Sequence, residues 1–361
     1  MAKANLTTVS DITVSVREID FVTRFTKNWD ALREILGIMR PIRKQAGTTL
    51  KSYVTSVTLQ SGSVGEGEEI PYSKATIVQK AYADLNIEKY AKGVSIEAVN
   101  KYGAQVAVQR TDDEFLNELQ GNVMTRFYNF LKTGTLRSSS TAFQMAVSMA
   151  IGRVRYKFQQ MHRDVSNIVV FANTLDVAAY LGNASITMQT TNGITYLKNF
   201  LGASVLIASA EIEQGKVIAV PVGNIDLYYV DPSDSQFAQL GLNYTVEGET
   251  NLIGFHAEGD YRHAVGDVYA LMGMTLWAEY LDAIAIEFIG TATAVTSAET
   301  ITADASDTSL YKTAHSRIIS VEMLKDGSTA IASDKYTIED DGVRLAETPT
   351  GTVTIKYTYA A

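Results

Sequence analysis

The chain has 361 residues, 46% of them hydrophobic and 20% charged, which fits a globular protein of two domains or of one large domain with an appendage. With no cysteine it has no disulfide, zinc–thiolate centre or thiol nucleophile, and no run of about 18 apolar residues marks a helical membrane span. A formal net charge of −9 argues against a protein that grips nucleic acid by neutralising its phosphates.

The charge is uneven. Residues 1–51 carry nine Lys or Arg against five acids, a net +4 that leaves −13 for the rest. A basic arm on an acidic body suits an acidic partner, and a solvated helix face accounts for the same charges equally well. Residues 1–27 read as an extended arm with little core of its own, and the opening MAKANLTTVSDITVSV has no signal-peptide apolar stretch. Asn28–Arg40 reads as a helix with Trp29, Leu32, Leu36 and Met39 on one side, ended by Pro41.

A long hairpin follows, with arms Ser52–Gln60 and Tyr72–Tyr82. On the first arm Tyr53, Thr55, Val57 and Leu59 alternate with Val54, Ser56 and Thr58, which is strand spacing. The tip, Ser61–Glu69, reads SGSVGEGEE. An isolated two-stranded hairpin is marginal in water, so this one must lie on something, and a neighbouring subunit would serve. Leu85–Tyr90 is short and extended; Ser95–Lys101 is a short helix led by Ser95 and stopped by Gly103.

The long helix is expected to start at Thr111, where Thr111 and Glu114 form a capping box and Asp112 and Asp113 sit in the first turn. Its predicted stripe is Phe115, Leu119, Val123, Phe127 and Phe130, with Lys132 near the end and Gly134 as C-cap, for a length of roughly 30 Å. A loop, Thr133–Ser140, leads to a second helix at Thr141–Met161 with a stripe of Phe143, Val147, Ile151, Val154, Phe158 and Met161. Asn167–Ala172 is a buried strand, and Asn173 or Thr174 caps a short helix that Gly182 ends. Val205–Ser209, Val217–Val220 and Ile225–Val230 are further strands, so 141–230 reads as helices against a sheet. Leu252–His256, Tyr269–Trp277 and Ala283–Ile289 return as strands expected to pack beside the long helix.

From Thr291 the composition shifts. Residues 291–308 are small and polar, a linker or a frayed first strand. Ile318–Leu324, Lys335–Glu339, Val343–Leu345 and Thr352–Tyr359 read as strands, with turns at Asp326-Gly327, Asp341-Gly342 and Pro349-Thr350-Gly351. About 70 residues of short strands suit a small immunoglobulin-like sandwich, and no stripe in residues 1–290 needs it for completion.

Catalytic chemistry finds no foothold. His256 and His263, with Glu258 and Asp260 between them in FHAEGDYRH, match no metal-ligand spacing, and a polar loop between strands is the simpler account. His162 and His315 have no serine-plus-acid context, and G-x-S-x-G is absent. Gly62, Gly65 and Gly67 are followed by no G-K-[ST], and Glu66, Glu68 and Glu69 would repel phosphate. Of Phe127, Tyr128 and Phe130, only the first and third fall on the helix stripe.

The order of elements is the informative feature: basic arm, long hairpin with EGEEIPYSKA, short helix VSIEAVNKYG, long helix ending in FLKTGT, then NIVVFANTLDVAAYLGN and NFLGASVLIAS, then returning strands. This set resembles the major capsid proteins of tailed bacteriophages, the Hong Kong 97-type fold, over roughly residues 20–290. The resemblance implies an α+β chain with an N-terminal arm at 1–50, an E-loop hairpin at 51–84, and a spine helix near 111–133. The peripheral domain would comprise 85–140 and 236–290, the axial domain 141–235, and the C-terminal 291–361 resembles immunoglobulin-like surface domains of some phage head and tail proteins. The implied function is a major head protein that self-assembles, through hexamers and pentamers, into the icosahedral shell around packaged double-stranded DNA. The DNA would be enclosed without sequence-specific binding, in a virion capsid assembled in the bacterial host cytoplasm, with no membrane, cofactor, metal or catalytic residue. No long helical segment precedes the arm to serve as a built-in scaffold, so a separate scaffolding protein is expected, with a portal. Inter-subunit contacts are expected at Glu66, Glu68 and Glu69 on the tip, Lys74 on the second arm, and Arg17, Arg24, Arg40 and Arg43 on the basic arm; no cross-link is assigned to Lys74 or Lys80. The alternative is an encapsulin-like nanocompartment shell. A secreted surface-layer or adhesin protein is a more distant reading, disfavoured by the missing signal peptide and the single C-terminal module.

Overall fold

The computed structural model describes residues 39–66, 68–182, 189–191, 194–246, 251–290 and 294–360. In chain order the first elements are β1 (Met39–Arg43), β2 (Thr49–Thr58), β3 (Lys74–Asp84), β4 (Glu88–Ser95), α1 (Ile96–Tyr102), a π-helical turn at Gln105–Arg110 and α2 (Thr111–Leu131). Then come β5 (Leu136–Ser140), α3 (Phe143–Gln160), β6 (Ile168–Asn173), α4 (Thr174–Gly182), β7 (Gln189–Thr191), β8 (Ile194–Lys198), β9 (Val205–Ser209), β10 (Lys216–Pro221) and β11 (Ile225–Tyr229). A short α5 (Ser235–Gln239) precedes β12 (Thr245–Val246), β13 (Ile253–Asp260), β14 (Val265–Met272), β15 (Met274–Ala278) and β16 (Ala285–Ile289). The C-terminal strands are β17 (Ala294–Ala303), β18 (Leu310–Lys312), β19 (Ile318–Asp326), β20 (Thr329–Ala330), β21 (Tyr336–Ile338), β22 (Gly342–Leu345) and β23 (Val353–Ala360). The chain is mixed α/β, and it divides into two units.

One unit holds residues 41–112 and 227–275. Its four-stranded antiparallel sheet runs β12-β13-β14-β4, and its small core gathers Leu85, Val230, Phe237 and Leu271. The expected strand Tyr269–Trp277 is two strands, because Gly273 breaks it: the missing Cβ lets Asn86 O and the Val230 side chain approach to 3.0 Å of where one would sit. Ser95 caps α1 by accepting from Ala98 N at 3.3 Å, and Gly103 ends it at φ +80°, both as the sequence predicts. The start of the long helix differs. Thr111 is already helical (φ −75°, ψ −26°), and its hydroxyl donates back to Ala107 O at 2.8 Å and Val108 O at 3.0 Å. The π turn before it supplies those carbonyls, so the capping box is not formed and the threonine back-bonds as in a helix interior. Asp112 is buried and pairs with Lys92 of β4.

The other unit holds the described residues within 39–40, 113–226 and 276–360. Its central seven-stranded sheet runs β5-β16-β10-β6-β9-β8-β7. Alternation along β6 assigns its faces. Ile168, Val170 and Ala172 join Ala146, Val147, Ala150, Ile151 and Val154 of α3, while Phe171 on the opposite face meets Phe127 and Tyr128 of α2, edge-on at 5.6 and 5.8 Å between centroids. Tyr128, placed off the stripe by spacing alone, is 1% exposed, and burial pushes its hydroxyl pKa up to about 12. The buried stripe is Leu116, Leu119, Val123, Phe127 and Leu131, with Phe115 and Phe130 half-buried at its margins. A sheet face is broad, so the helix buries a wider band than one column of residues.

Three further expectations change. The predicted loop Thr133–Ser140 contains β5, the edge strand of the central sheet, paired in parallel with β16. Ala285–Ile289 lies in the central sheet between β5 and β10, in the unit that also holds most of the long helix, rather than in the unit of Leu252–His256. Met39 and Arg40 are strand, not helix, and Pro41 lies within β1, an edge of the three-stranded sheet β1-β11-β15, where a missing N–H is tolerated; the rest of the predicted Asn28–Arg40 helix is outside the described residues.

Residues 294–360 are β apart from a 3-10 turn at Ser333–Lys335, with strands in the order β20-β19-β23-β17-β18-β22-β21. Of the two readings of 291–308, a linker or a frayed first strand, the strand is found: the stretch holds the ten-residue β17, which pairs with both β18 and β23 and so joins the two halves of the strand set. Its own core is Ile301, Tyr311, Ile318, Leu324, Val343, Leu345, Val353, Ile355 and Tyr357. Gly327 turns β19 into β20 at φ +58°, as Asp326-Gly327 predicts.

Candidate assembly surface

Strands β2 and β3 form a sheet of two strands that pair with each other from Thr58↔Lys74 to Thr49↔Asp84, with a register shift at Thr49/Lys51. At the distal end Val57, Leu59, Ile70, Tyr72 and Ile77 are 58 to 92% exposed. These five apolar side chains stand in solvent at one end of the hairpin, where a solvated hairpin would carry polar side chains. The tip's charge is the more conspicuous signal in the sequence, yet Leu59, Ile70 and Tyr72 are legible there as apolar residues bracketing a Gly/Glu loop.

The tip has some internal order. Gly65 N donates to Glu68 Oε2 at 2.9 Å, Glu68 N donates to Gly65 O at 3.1 Å, and Gln60 N donates to Ser73 Oγ at 3.2 Å. Glu68 therefore closes its own turn, while Glu66 and Glu69 are exposed beside it. Lys74 is exposed at the first pair of β3.

The basic-arm residues fall into two groups. Arg17 and Arg24 lie outside the described residues. Arg40 Nε meets Asp226 Oδ1 at 2.7 Å and its Nη2 meets Glu279 Oε2 at 3.3 Å. Arg43 Nη1 meets Asp231 Oδ2 at 3.0 Å and Nη2 meets Asp234 Oδ2 at 3.2 Å, holding the Asp234 carboxyl below the usual range. Asp226 and Asp231 are buried, so both arginines cover carboxylates of their own chain while leaving half of each side chain in solvent.

A second apolar surface lies in the same unit as the hairpin. A groove of about 440 Å³ is lined by Val94, Ile96, Val99, Val108, Tyr261 and Val265, and Tyr261 at its rim is 99% exposed. The FHAEGDYRH stretch is not a loop over most of its length: Phe255–Asp260 is paired strand in β13, Tyr261–His263 lie in the turn to β14, and Gly259, Asp260 and Tyr261 line the groove. His263 pairs with Asp260, which raises the imidazole pKa, and His256 Nε2 stands 3.7 Å from Glu258 Oε2. Among the described residues no three of His, Asp or Glu are arranged to hold a metal ion, and no helix is long and apolar enough to cross a membrane.

No family model matches the chain, and no curated protein is similar to it. Among solved structures it is similar to the virus-like particle from Pyrococcus furiosus, at 13% identity and TM-score 0.45, over 76% of this chain and 100% of that one. It is similar to the SrpI encapsulin of Synechococcus elongatus at 13% identity and TM-score 0.45, over 79% and 92%. It is also similar to the capsid of cyanophage P-SCSP1u at 11% identity and TM-score 0.45, over 71% and 88%.

Proposed function

We propose that this chain is a shell-forming capsid protein of the Hong Kong 97 type. The observation that carries the proposal is the hairpin Thr49–Asp84, a two-stranded sheet that displays Val57, Leu59, Ile70, Tyr72 and Ile77 to solvent. Such an element is marginal alone and becomes stable when a second copy covers it. In a closed shell every copy both gives and receives that contact, so a weak contact is repeated around the particle. Glu66 and Glu69 at the tip and Lys74 on the second arm are the polar rim of the contact, with the free halves of Arg40 and Arg43 as candidate partners for the tip acids.

The finer reading is a tailed-phage head protein enclosing double-stranded DNA, assembled with a separate scaffolding protein and a portal. The domain scheme is an arm at 1–50, an E-loop at 51–84, a peripheral domain at 85–140 and 236–290, an axial domain at 141–235, and an immunoglobulin-like surface domain at 291–361. The net +4 arm and the C-terminal β unit favour this over an encapsulin-like compartment. The test is electron microscopy and sedimentation of the full chain expressed in bacteria. Closed shells, hexamers or pentamers are expected; a monodisperse monomer at milligram concentrations overturns the proposal. Nuclease-resistant DNA inside particles purified from infected cells, rather than a protein cargo, supports the head protein over the compartment.

A further inference from the structure

The C-terminal β unit has its own core, yet it is keyed into the rest of its unit by buried charge. Arg137 stands on β5, the edge strand of the central sheet, and its side chain has no solvent exposure. Its guanidinium donates to Gly134 O at 3.0 Å and Lys132 O at 2.7 Å on its own side. On the other side it donates to Ile318 O at 3.2 Å, Ile338 O at 2.9 Å and Asp340 Oδ1 at 3.1 Å. The second oxygen of Asp340 accepts from Lys216, a 2%-exposed lysine that opens β10 and also pairs with Glu213. Lys132 closes the set on Glu213 at 2.9 Å. Nearby, Arg317 Nη1 donates to Ile289 O at 3.2 Å, and Gly215 beside it sits at φ +80°, the left-handed region that favours glycine.

The body contributes three cations, Arg137 and Lys216 from strands and Lys132 from just after α2, with Glu213. The C-terminal unit contributes Asp340, two carbonyls and, beside them, Arg317. Strand β19 lies against β5, the edge strand of the central sheet, whose one ladder partner among the described residues is β16. An open edge strand invites pairing with another chain, and natural proteins cover such edges.

We propose that Asp340 is a latch: by bridging Arg137 and Lys216 it holds the C-terminal β unit over the β5 edge of the central sheet. Release of the latch uncovers that edge while leaving the unit's own core intact. This holds whether or not the chain forms shells.

Hydrogen exchange of the full-length chain with Asp340→Ala tests it. Peptides covering 132–140 and 314–322 are expected to exchange at least tenfold faster than in the parent, while 294–303 and 352–360, the heart of the C-terminal core, keep their rates. The control is Asp341→Ala, which removes the adjacent exposed carboxylate and should change neither pair of peptides. Unchanged exchange at 132–140 in Asp340→Ala overturns the proposal. So does a uniform rise in all four peptides, which would make Asp340 a general stability residue, and so does an equal effect of Asp341→Ala, which would reduce the latch to bulk local charge.

Discussion

The hairpin Thr49–Asp84 and the C-terminal strands Ala294–Ala360 are both β additions to a mixed α/β body, and they solve the problem of exposed strand in opposite ways. The C-terminal unit buries Ile318, Ile355 and Tyr357 completely or nearly so in a core of its own, and then spends its polar groups on docking. The hairpin pairs its two strands and leaves Leu59, Ile70 and Tyr72 in solvent. An element whose apolar surface is satisfied within the chain belongs to the fold, and one whose apolar surface is unsatisfied is shaped for a second molecule. Autonomy of core is a separate property from autonomy of docking: the C-terminal unit has the first without the second.

The sharpest way to break this comparison is to remove each addition in turn. A chain ending at Gly290 strips Arg137 and Lys216 of Asp340 and of the carbonyls of Ile318 and Ile338. Removing one partner of a buried ion pair costs about 3–5 kcal/mol, so this truncation should be poorly soluble or melt well below the parent in a urea titration. Replacing residues 52–82 by a short turn should shift body stability by less than about 1 kcal/mol and abolish assembly, because the distal hairpin buries little within the chain. Equal destabilisation by the two deletions would erase the distinction.

Next in size are single core truncations. Tyr357→Ala removes a fully buried ring and should cost about 3–5 kcal/mol. Tyr72→Ala, at a 92%-exposed site, should stay within about 0.5 kcal/mol in the same titration yet lower particle yield. Charge reversal of Glu66, Glu68 and Glu69 to Lys is expected to leave the melting curve nearly unchanged, less the small cost of the Gly65–Glu68 turn, and to block or misdirect assembly. Normal particles from that triple variant would remove the tip acids from the contact.

The pH dependence of stability has two opposing parts. Burial lowers the Lys216 pKa to about 8, against the opposing pull of Glu213. Between about 8 and the ordinary lysine value the unfolded chain binds a proton that the folded chain does not, so this group makes stability rise with pH in that window. Glu287, buried in β16 with its pKa raised by desolvation, acts in the opposite sense. There the folded chain holds the extra proton, and stability falls as pH climbs above the ordinary glutamate range. Urea titrations of the parent and Lys216→Met at pH 7.5 and 9.5 separate the lysine's share; a parent without the rise relative to the variant would show that Lys216 titrates normally.

Local pattern determined much of this molecule. The alternation in the hairpin arms, the Ser95 cap, the Gly103 stop, the stripe of α3 from Val147 to Phe158, the strand Ile168–Asn173 with its Asn173 cap, and the Asp326-Gly327 turn are all set by residues close in sequence. What the sequence left open depends on partners far along the chain. β5 is a polar stretch, LRSSS, whose strand character comes from pairing with β16 some 150 residues later. Tyr128 is core because Phe171 rises to meet it from the sheet, and Thr111 is mid-helix because a π turn precedes it. Arg137, Lys216 and Asp340 carry no motif, since an ion pair spanning up to 203 residues leaves no periodic trace in a sequence. Backbone propensity and apolar spacing act over a few residues and can be read directly; sheet order, burial of charge and the covering of an edge are decided only when distant segments pack together.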